Sequence, residues 1–250
     1  MKIVIINQAR MTSTRLPAKV MKPVLEKPLL EYQLERLQRA RLVDQIVVAT
    51  TINDTDQPIV DLCDRLCIRS YRGSENDVLA RYHGAAIAHQ ADVIVRVTSD
   101  CPLIDPQVID QTIQFYLDSY PEYDYVSNSL VRTYPRGMDT EVFSFQSLDQ
   151  AFHQAMAPGD REHVTPFIYF NPHQYNLGQV SYAQNLSSHR WTVDTPEDLE
   201  LITRIIESLY PIKPDFSLQD CLDLLCQYPE WSMLNQHIEQ KQYGRSECTL

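Results

Sequence analysis

The chain has 250 residues, 44% of them hydrophobic, which suits one large domain with a substantial core. Its 22 basic residues against 33 acidic ones leave a formal net charge of -11, the opposite of the basic excess that nucleic-acid binding demands. No stretch approaches the roughly 18 apolar residues of a membrane span. The apolar run near the N-terminus, Ile3 to Ile6, is too short for a signal core. A cytoplasmic location, with the cysteines as reduced thiols, is therefore expected.

A buried strand is predicted from Lys2 to Ile6. The loop Asn7 to Lys22 follows and reads NQARMTSTRLPAKVMK. In an acidic chain, Arg10, Arg15, Lys19 and Lys22 make this loop a candidate anion site, because open α/β sheets bind ligands at the carboxyl ends of their strands and guanidinium and ammonium groups hold phosphate oxygens. With only 6 glycines, the chain lacks both the G-x-G-x-x-G fingerprint and the G-x-x-x-x-G-K-[ST] loop, so side chains must do most of the phosphate binding.

Beyond the loop, Pro28 opens a helix, Leu29 to Ala40, with Leu30, Leu34 and Leu37 at helical spacing. A strand at Gln45 to Thr50, a helix at Pro58 to Leu66 and a short strand at Cys67 to Tyr71 follow. Cys63 and Cys67 read as core, since no second Cys/His pair completes a zinc site. Next come a helix at Asn76 to Gln90, with Val78, Leu79, Tyr82, Ala86 and Ile87 inward, a strand at Asp92 to Thr98 and a helix at Val108 to Asp118. This alternation predicts a Rossmann-like α/β fold with a mostly parallel sheet and helices on both faces.

After about residue 125 the alternation breaks. Strands are predicted at Tyr125 to Asn128, Glu141 to Phe145, Tyr175 to Gln179 and Trp191 to Asp194. Helices are predicted at Ser147 to Gln154, Glu162 to Tyr169, Pro196 to Tyr210 and Ser217 to Cys226. Residues 129–184 read as an insertion in a single domain, lying outside the main sheet. Its Tyr134, Phe143, Phe145, Phe167, Tyr169, Phe170 and Tyr175 point to an interface. A loose polar tail is expected over residues 240–250.

Asp100 and Asp194 each follow an apolar run. A carboxylate at a strand end beside phosphate binders suits a magnesium-nucleotide site, because Mg²⁺ takes few protein carboxylates and binds substrate phosphate oxygens. Asp194-Thr195-Pro196-Glu197-Asp198 also reads as a helix cap.

Six segments carry a resemblance: Gln8 to Lys19, Arg72 to Tyr82 (RGSENDVLARY), Arg96 to Pro106 (RVTSDCPLIDP), Pro135 to Phe143 (PRGMDTEVF), Arg161 to Pro166 (REHVTP) and Arg190 to Leu199 (RWTVDTPEDL). In these the chain resembles the cytidylyltransferases that activate acidic sugars, such as the 3-deoxy-manno-octulosonate and acylneuraminate enzymes. The spore-coat polysaccharide branch is the nearest. The resemblance implies a nucleotidyltransferase that moves CMP from CTP to a sugar acid and releases pyrophosphate.

It further implies that Arg10, Arg15 and Lys19 hold the triphosphate and that Asp100 and Asp194 hold Mg²⁺. Gln8, Ala9, Ser13, Thr50, Arg72, Ser74, Asp77 and Thr98 would surround the nucleotide. In the inserted region, Arg136, Asp139, Glu141, Arg161 and His163 are the acceptor candidates, with Arg136 and Arg161 suited to a carboxylate. A homodimer is implied as well. Thr12, Ala18 and Ser99 replace the family's usual glycines; the Thr12 and Ser99 hydroxyls remain available to phosphate, while Ala18 restricts the backbone. A glycosyltransferase of related fold and a non-catalytic nucleotide-binding regulator are the competing readings. The first of these lacks its usual D-x-D metal motif here.

Overall fold

Ile3 to Ile6 are at most 6% exposed, as expected of a strand covered on both faces. In the computed structural model, which describes residues 1–240, this run is strand β1 (Ile3–Gln8). The basic loop ends in a turn of 3-10 helix at Lys19–Met21, and a small hairpin, β2 (Pro23–Val24) and β3 (Lys27–Pro28), leads into helix α1 (Leu29–Leu37). Next come β4 (Gln45–Thr51), α2 (Gln57–Arg65), β5 (Arg69–Gly73), α3 (Val78–Ala88), β6 (Val93–Thr98) and α4 (Pro106–Asp118). The second half holds β7 (Tyr125–Ser127), β8 (Glu141–Ser144), α5 (Phe145–Gln154), α6 (Pro158–His163), α7 (Pro166–Tyr169), β9 (Leu177–Gln179), α8 (Pro196–Leu209) and α9 (Leu218–Gln227).

The main sheet has seven strands in the order β5-β4-β1-β6-β8-β7-β9. β5, β4, β1 and β6 are mutually parallel; β8 runs antiparallel to both β6 and β7, and β7 pairs in parallel with β9. The chain moves outward from β1 through β4 to β5, then returns to place β6 on the other side of β1. That reversal opens a crevice at the carboxyl ends of β1 and β6, where the basic loop and Asp100 emerge.

Helices cover both faces. Leu30, Leu34, Ile109 and Ile113 pack with Ile3, Ile5, Val48, Val93 and Val95 on one. Leu79, Tyr82, Ala85 and Leu148 pack with Val4, Ile6, Val47 and Ile94 on the other. A third cluster joins Ile202, Ile205 and Ile206 of α8 and Leu225 of α9 to Trp191, Tyr134 and Met138.

The first half follows the sequence reading closely; the second departs from it. β7, β8 and β9 belong to the main sheet and form no separate unit. Tyr134, Phe143 and Tyr175 are at most 3% exposed, so they fill the core instead of marking an interface. Trp191 to Asp194 is not a strand; the one isolated bridge nearby pairs Arg136 with Arg190, just before this stretch. The helix expected from Glu162 to Tyr169 is broken at Val164, whose φ of 74° ends α6 before Pro166 starts α7. Ile87 is 55% exposed because it falls on the outer stripe of α3. Cys63 is core, but Cys67 follows the end of α2 and is exposed. From residue 241 the expected tail lies outside the described residues.

Candidate active site

The basic loop is tied down at both ends. Ala9 N donates to Ala49 O at 3.1 Å, and Ala18 N to Met11 O at 2.9 Å. Ala18 sits in the left-handed region, with φ 56° and ψ 24°. A non-glycine residue pays a steric cost there of about 1 kcal/mol. That geometry turns Lys19 back into the crevice. Its Nζ lies 2.9 Å from Asp100 Oδ2 and 2.8 Å from Asp194 Oδ1. Arg15 Nη2 reaches Asp194 Oδ2 at 2.8 Å, and Arg190 Nη2 reaches the same oxygen at 3.0 Å.

The two aspartates lie 94 residues apart in sequence and are joined through the main chain. Val193 N donates to Asp100 O at 2.8 Å, and Thr192 Oγ1 donates to it at 3.2 Å. Asp194 is steadied from behind by Asp198, whose Oδ2 accepts Asp194 N at 3.0 Å and Thr195 N at 3.1 Å. Asp198 also holds Arg190 through Nε at 2.8 Å. The helix-cap reading of Asp194 to Asp198 holds: Thr195 and Asp198 form the capping box of α8, while the Asp194 carboxylate faces Lys19, Arg15 and Arg190.

Burial opposes charge on these groups, but their mutual attraction overrides it. Desolvation alone would lower the pKa of Lys19, yet Asp100 and Asp194 raise it above its ordinary value. Burial would likewise raise Asp100. Lys19, then the Thr98 hydroxyl donating at 2.6 Å, instead bring it down to about 2. The two carboxylates are gathered around one ammonium. Among the described residues no group of three or more His, Cys, Asp or Glu side chains is arranged to hold a metal. Two carboxylates are enough for a divalent ion that completes its shell with water and phosphate oxygens.

The far side of the loop meets the ends of β4 and β5. Buried Asp56, absent from the sequence-based candidates, organises this corner. It accepts Met11 N at 2.8 Å, Thr50 Oγ1 at 2.9 Å and Thr51 Oγ1 at 2.6 Å. Arg72 Nε donates to Thr51 O at 3.0 Å and its Nη2 to Asn53 O at 2.8 Å, so it braces the β4 turn. Ser74 Oγ accepts Asp77 N at 3.0 Å, and Asp77 caps α3 by accepting Ala80 N at 2.9 Å. Ser13 is half-buried in the loop. Thr12 does not present its hydroxyl to the crevice; it donates to Glu75.

Next to the crevice lies a cavity of about 500 Å³, lined by Arg96, Thr98, Ser129, Arg132, Asp139, Glu141, His163 and Thr165 among others. Thr98 belongs to both sites, because its hydroxyl is on Asp100. Glu141 faces Arg96 across the β6–β8 register and pairs with its guanidinium. Glu141 Oε1 also accepts Tyr125 OH at 2.5 Å and Thr165 Oγ1 at 2.7 Å. Gln8 Oε1 accepts Arg96 Nη2 at 3.3 Å. Arg132 and Asp139 form a second, bidentate pair. Burial lowers the pKa of His163, which favours neutral imidazole.

Of the five acceptor candidates, Asp139, Glu141 and His163 line this cavity, while Arg136 and Arg161 do not. Arg161 is turned away by Asp77, which takes its Nη2 at 2.5 Å, and by Phe152 O, which takes its Nη1 at 2.7 Å. Arg161 and Asp77 form a pair that links α6 to α3. Arg136 is held by its backbone, donating N–H to His189 O at 2.9 Å and accepting from Trp191 N at 2.7 Å. Gly137 makes this approach possible, for at φ 108° a Cβ would lie 2.6 Å from Trp191 O. The cavity's arginines are Arg96 and Arg132. A charge within the apolar run VIVRVT was the signal for Arg96.

A reversed α/β sheet with a basic loop and paired carboxylates at its switch point defines a nucleotide-binding protein of the nucleotidyltransferase fold. The chain belongs to the cytidylyltransferase family, whose model matches residues 3–227. An uncharacterized protein of Methanocaldococcus jannaschii is 36% identical over 249 residues, covering 99% of this chain and 100% of that one. The spore coat polysaccharide biosynthesis protein SpsF of Bacillus subtilis is 33% identical over 235 residues, covering 91% of this chain and 95% of its own. The solved structure of a cytidylyltransferase from Leptospira borgpetersenii superposes with a TM-score of 0.89 at 31% identity, covering 97% of this chain and 100% of that one. No helix among the described residues is long and apolar enough to cross a membrane.

Proposed function

We propose that the protein transfers CMP from CTP to a sugar acid, releasing pyrophosphate, in the synthesis of a surface polysaccharide or related glycan. The observation that carries this reading is the Lys19 ammonium within 2.9 Å of both Asp100 and Asp194, beside a cavity holding two arginines. An acceptor oxygen attacks the α-phosphorus in line, and pyrophosphate departs. The protein's task is to position the reactants and offset developing charge more than to supply covalent chemistry.

Arg10, Arg15 and Lys19 offset the charge of the triphosphate and of the leaving pyrophosphate. Thr98 fixes the rotamer of Asp100, and Asp198 fixes the backbone beneath Asp194. Asp100 and Asp194 would hold Mg²⁺, which supplies charge neutralisation at the transferring phosphoryl group. Arg96 meets the acceptor's carboxylate, with Glu141 holding its guanidinium in place, and Arg132 stands ready beside it. Asp139 and Glu141 balance these cations and leave hydroxyl-recognising oxygens at the cavity wall.

Incubating nucleoside triphosphates with sugar acids and sugar phosphates tests the reading. CTP with a sugar acid is expected to release pyrophosphate with Mg²⁺ present. Release of a nucleoside diphosphate would establish a glycosyltransferase instead, and absence of turnover with tight nucleotide binding would establish a regulator.

The same reading includes a two-fold homodimer, the commonest closed assembly, formed through the region from β8 to β9. β9 ends the sheet, and such an edge strand is open to further contacts. Light scattering at micromolar concentration is expected to give twice the mass of the chain; the mass of a single chain would refute the dimer. Phe143, being 0% exposed, is not a probe of that interface.

A further inference from the structure

The chain returns to the site after α9. Beyond a turn of 3-10 helix at Pro229–Met233, Leu234 packs against the third core cluster and Asn235 turns inward at 2% exposure. Asn235 Nδ2 donates to Arg190 O at 2.9 Å and to Asp198 Oδ1 at 2.8 Å. Ile238 N then donates to Asn235 O at 3.0 Å and closes a turn. This anchor carries the chain to the cavity beside the crevice. Gln240, where the sequence reading expects a loose tail to begin, is half-buried and lines that cavity together with Arg96, Arg132, Asp139 and Glu141.

The direction of the Gln240 amide is set by its neighbour. Its Oε1 accepts Arg190 Nη1 at 2.5 Å. A guanidinium only donates, so the amide oxygen faces it and the Nε2 end is left with two N–H donors. Among the described residues Nε2 has no acceptor. Arg190 is itself held, with Nε on Asp198 at 2.8 Å and Nη2 on Asp194 at 3.0 Å. A donor aimed before its ligand arrives loses little freedom on binding.

Two observations assign this donor to the acceptor and not to the nucleotide. Arg10, Arg15 and Lys19, the groups proposed for the triphosphate, come from the loop after β1 and do not line this cavity. The wall is also built from residues beyond 227, where the match to the cytidylyltransferase model ends, which suits the substrate other than CTP. We propose that Gln240 is a specificity-determining residue whose Nε2 donates to an oxygen of the acceptor, and that Asn235 is the positioning residue that brings it there. The inference rests on the proposed nucleotidyl transfer and adds to it a residue of the C-terminal segment that reads the sugar acid. Because Arg190 also holds Asp194, one guanidinium ties the acceptor wall to the carboxylate end of the site.

Steady-state pyrophosphate release by wild type, Gln240→Ala and Gln240→Glu tests it, with the acceptor varied at saturating CTP and CTP varied at saturating acceptor. The acceptor is the sugar acid that wild type turns over fastest, starting with 3-deoxy-manno-octulosonate and N-acetylneuraminate. Losing a contact made equally in the ground and transition states raises KM and spares kcat. Q240A is therefore expected to raise the acceptor KM about tenfold, the usual worth of a hydrogen bond to a charged group, with the KM for CTP close to wild type. Glutamate keeps an oxygen for Arg190 but has no donor and repels an anion, so Q240E is expected to raise the acceptor KM further. Both variants should melt near the wild-type temperature, since Gln240 makes a single hydrogen bond among the described residues. An acceptor KM left at the wild-type value in Q240A overturns the assignment, and a fall in kcat beside it would make Gln240 a brace for Arg190 alone. An equal rise in both KM values overturns it too. A wild type that releases no pyrophosphate with any sugar acid or sugar phosphate overturns the underlying function and this assignment with it, a failure distinct from the others.

Discussion

Asp100→Asn is expected to lower the rate of pyrophosphate release by about 10²–10³-fold or more at saturating substrates, the usual cost of removing one preorganised electrostatic group from a transfer site. The amide keeps the size of the side chain and still accepts the Thr98 hydroxyl, but it surrenders the charge that Lys19 meets at 2.9 Å. It also gives up half of the carboxylate pair that a divalent ion would require. Lys19 keeps Asp194 as a partner at 2.8 Å, so the variant should fold, with a melting temperature near that of the wild type. The assay is steady-state pyrophosphate release with circular dichroism as the control. Full turnover by D100N, or wild-type turnover undiminished in excess chelator, would remove Asp100 and the metal from the proposed chemistry.

The convergence of Asp100 and Asp194 was legible because each follows a short apolar run, and the order of elements around β1 places such runs at one sheet edge. The fate of the basic loop was less so. From sequence its cations read as exposed, and replacing Arg15 or Lys19 by alanine should change stability little. Lys19 is in fact only 12% exposed and bridges two carboxylates, so its loss would also strain the fold. The acceptor side was the least legible. Glu141 meets Arg96 only because β8 enters the sheet antiparallel between β6 and β7, a register no local pattern announces.

Arg161 reads from sequence as a substrate arginine; in the fold its guanidinium is paired with Asp77, 84 residues earlier. Aromatic residues crowded between residues 134 and 175 serve a core or an interface equally well; only the depth of Phe143 and Tyr175 separates the two. Local chemistry thus gave strands, caps and the carboxylate ends, while pairings between distant segments had to be seen in three dimensions.

The largest effect on stability is expected at Asp198, which touches no proposed substrate. It is 0% exposed. It accepts Arg190 Nη2 at 2.9 Å, Asn235 Nδ2 at 2.8 Å and the backbone N–H groups of Asp194 and Thr195. Asp198→Ala strips a buried guanidinium of its main partner and leaves these donors unpaired, at a cost of about 3–5 kcal/mol. For a chain of this size that is a fall in melting temperature of about 10 °C, with turnover reduced because Asp194 loses its backing.

Acid should have a related effect. Burial would raise the pKa of Asp198, but the hydrogen bonds from Arg190 and Asn235 and the charge of Arg190 bring it below the ordinary value. Asp100 and Asp220 are each held near 2. A carboxylate whose pKa is depressed on folding contributes stability that is present above its unfolded value and lost as pH falls through the folded one. Melting temperature is therefore expected to stay level down to about pH 4, the unfolded carboxylate range, and to drop steeply toward pH 2. In D198A that acid limb should be shallower, because one of its carboxylates is gone. Scanning calorimetry of both proteins at a series of pH values measures both effects, and superimposable profiles would mean that the Arg190–Asp198 cluster does not secure the α8 end of the site.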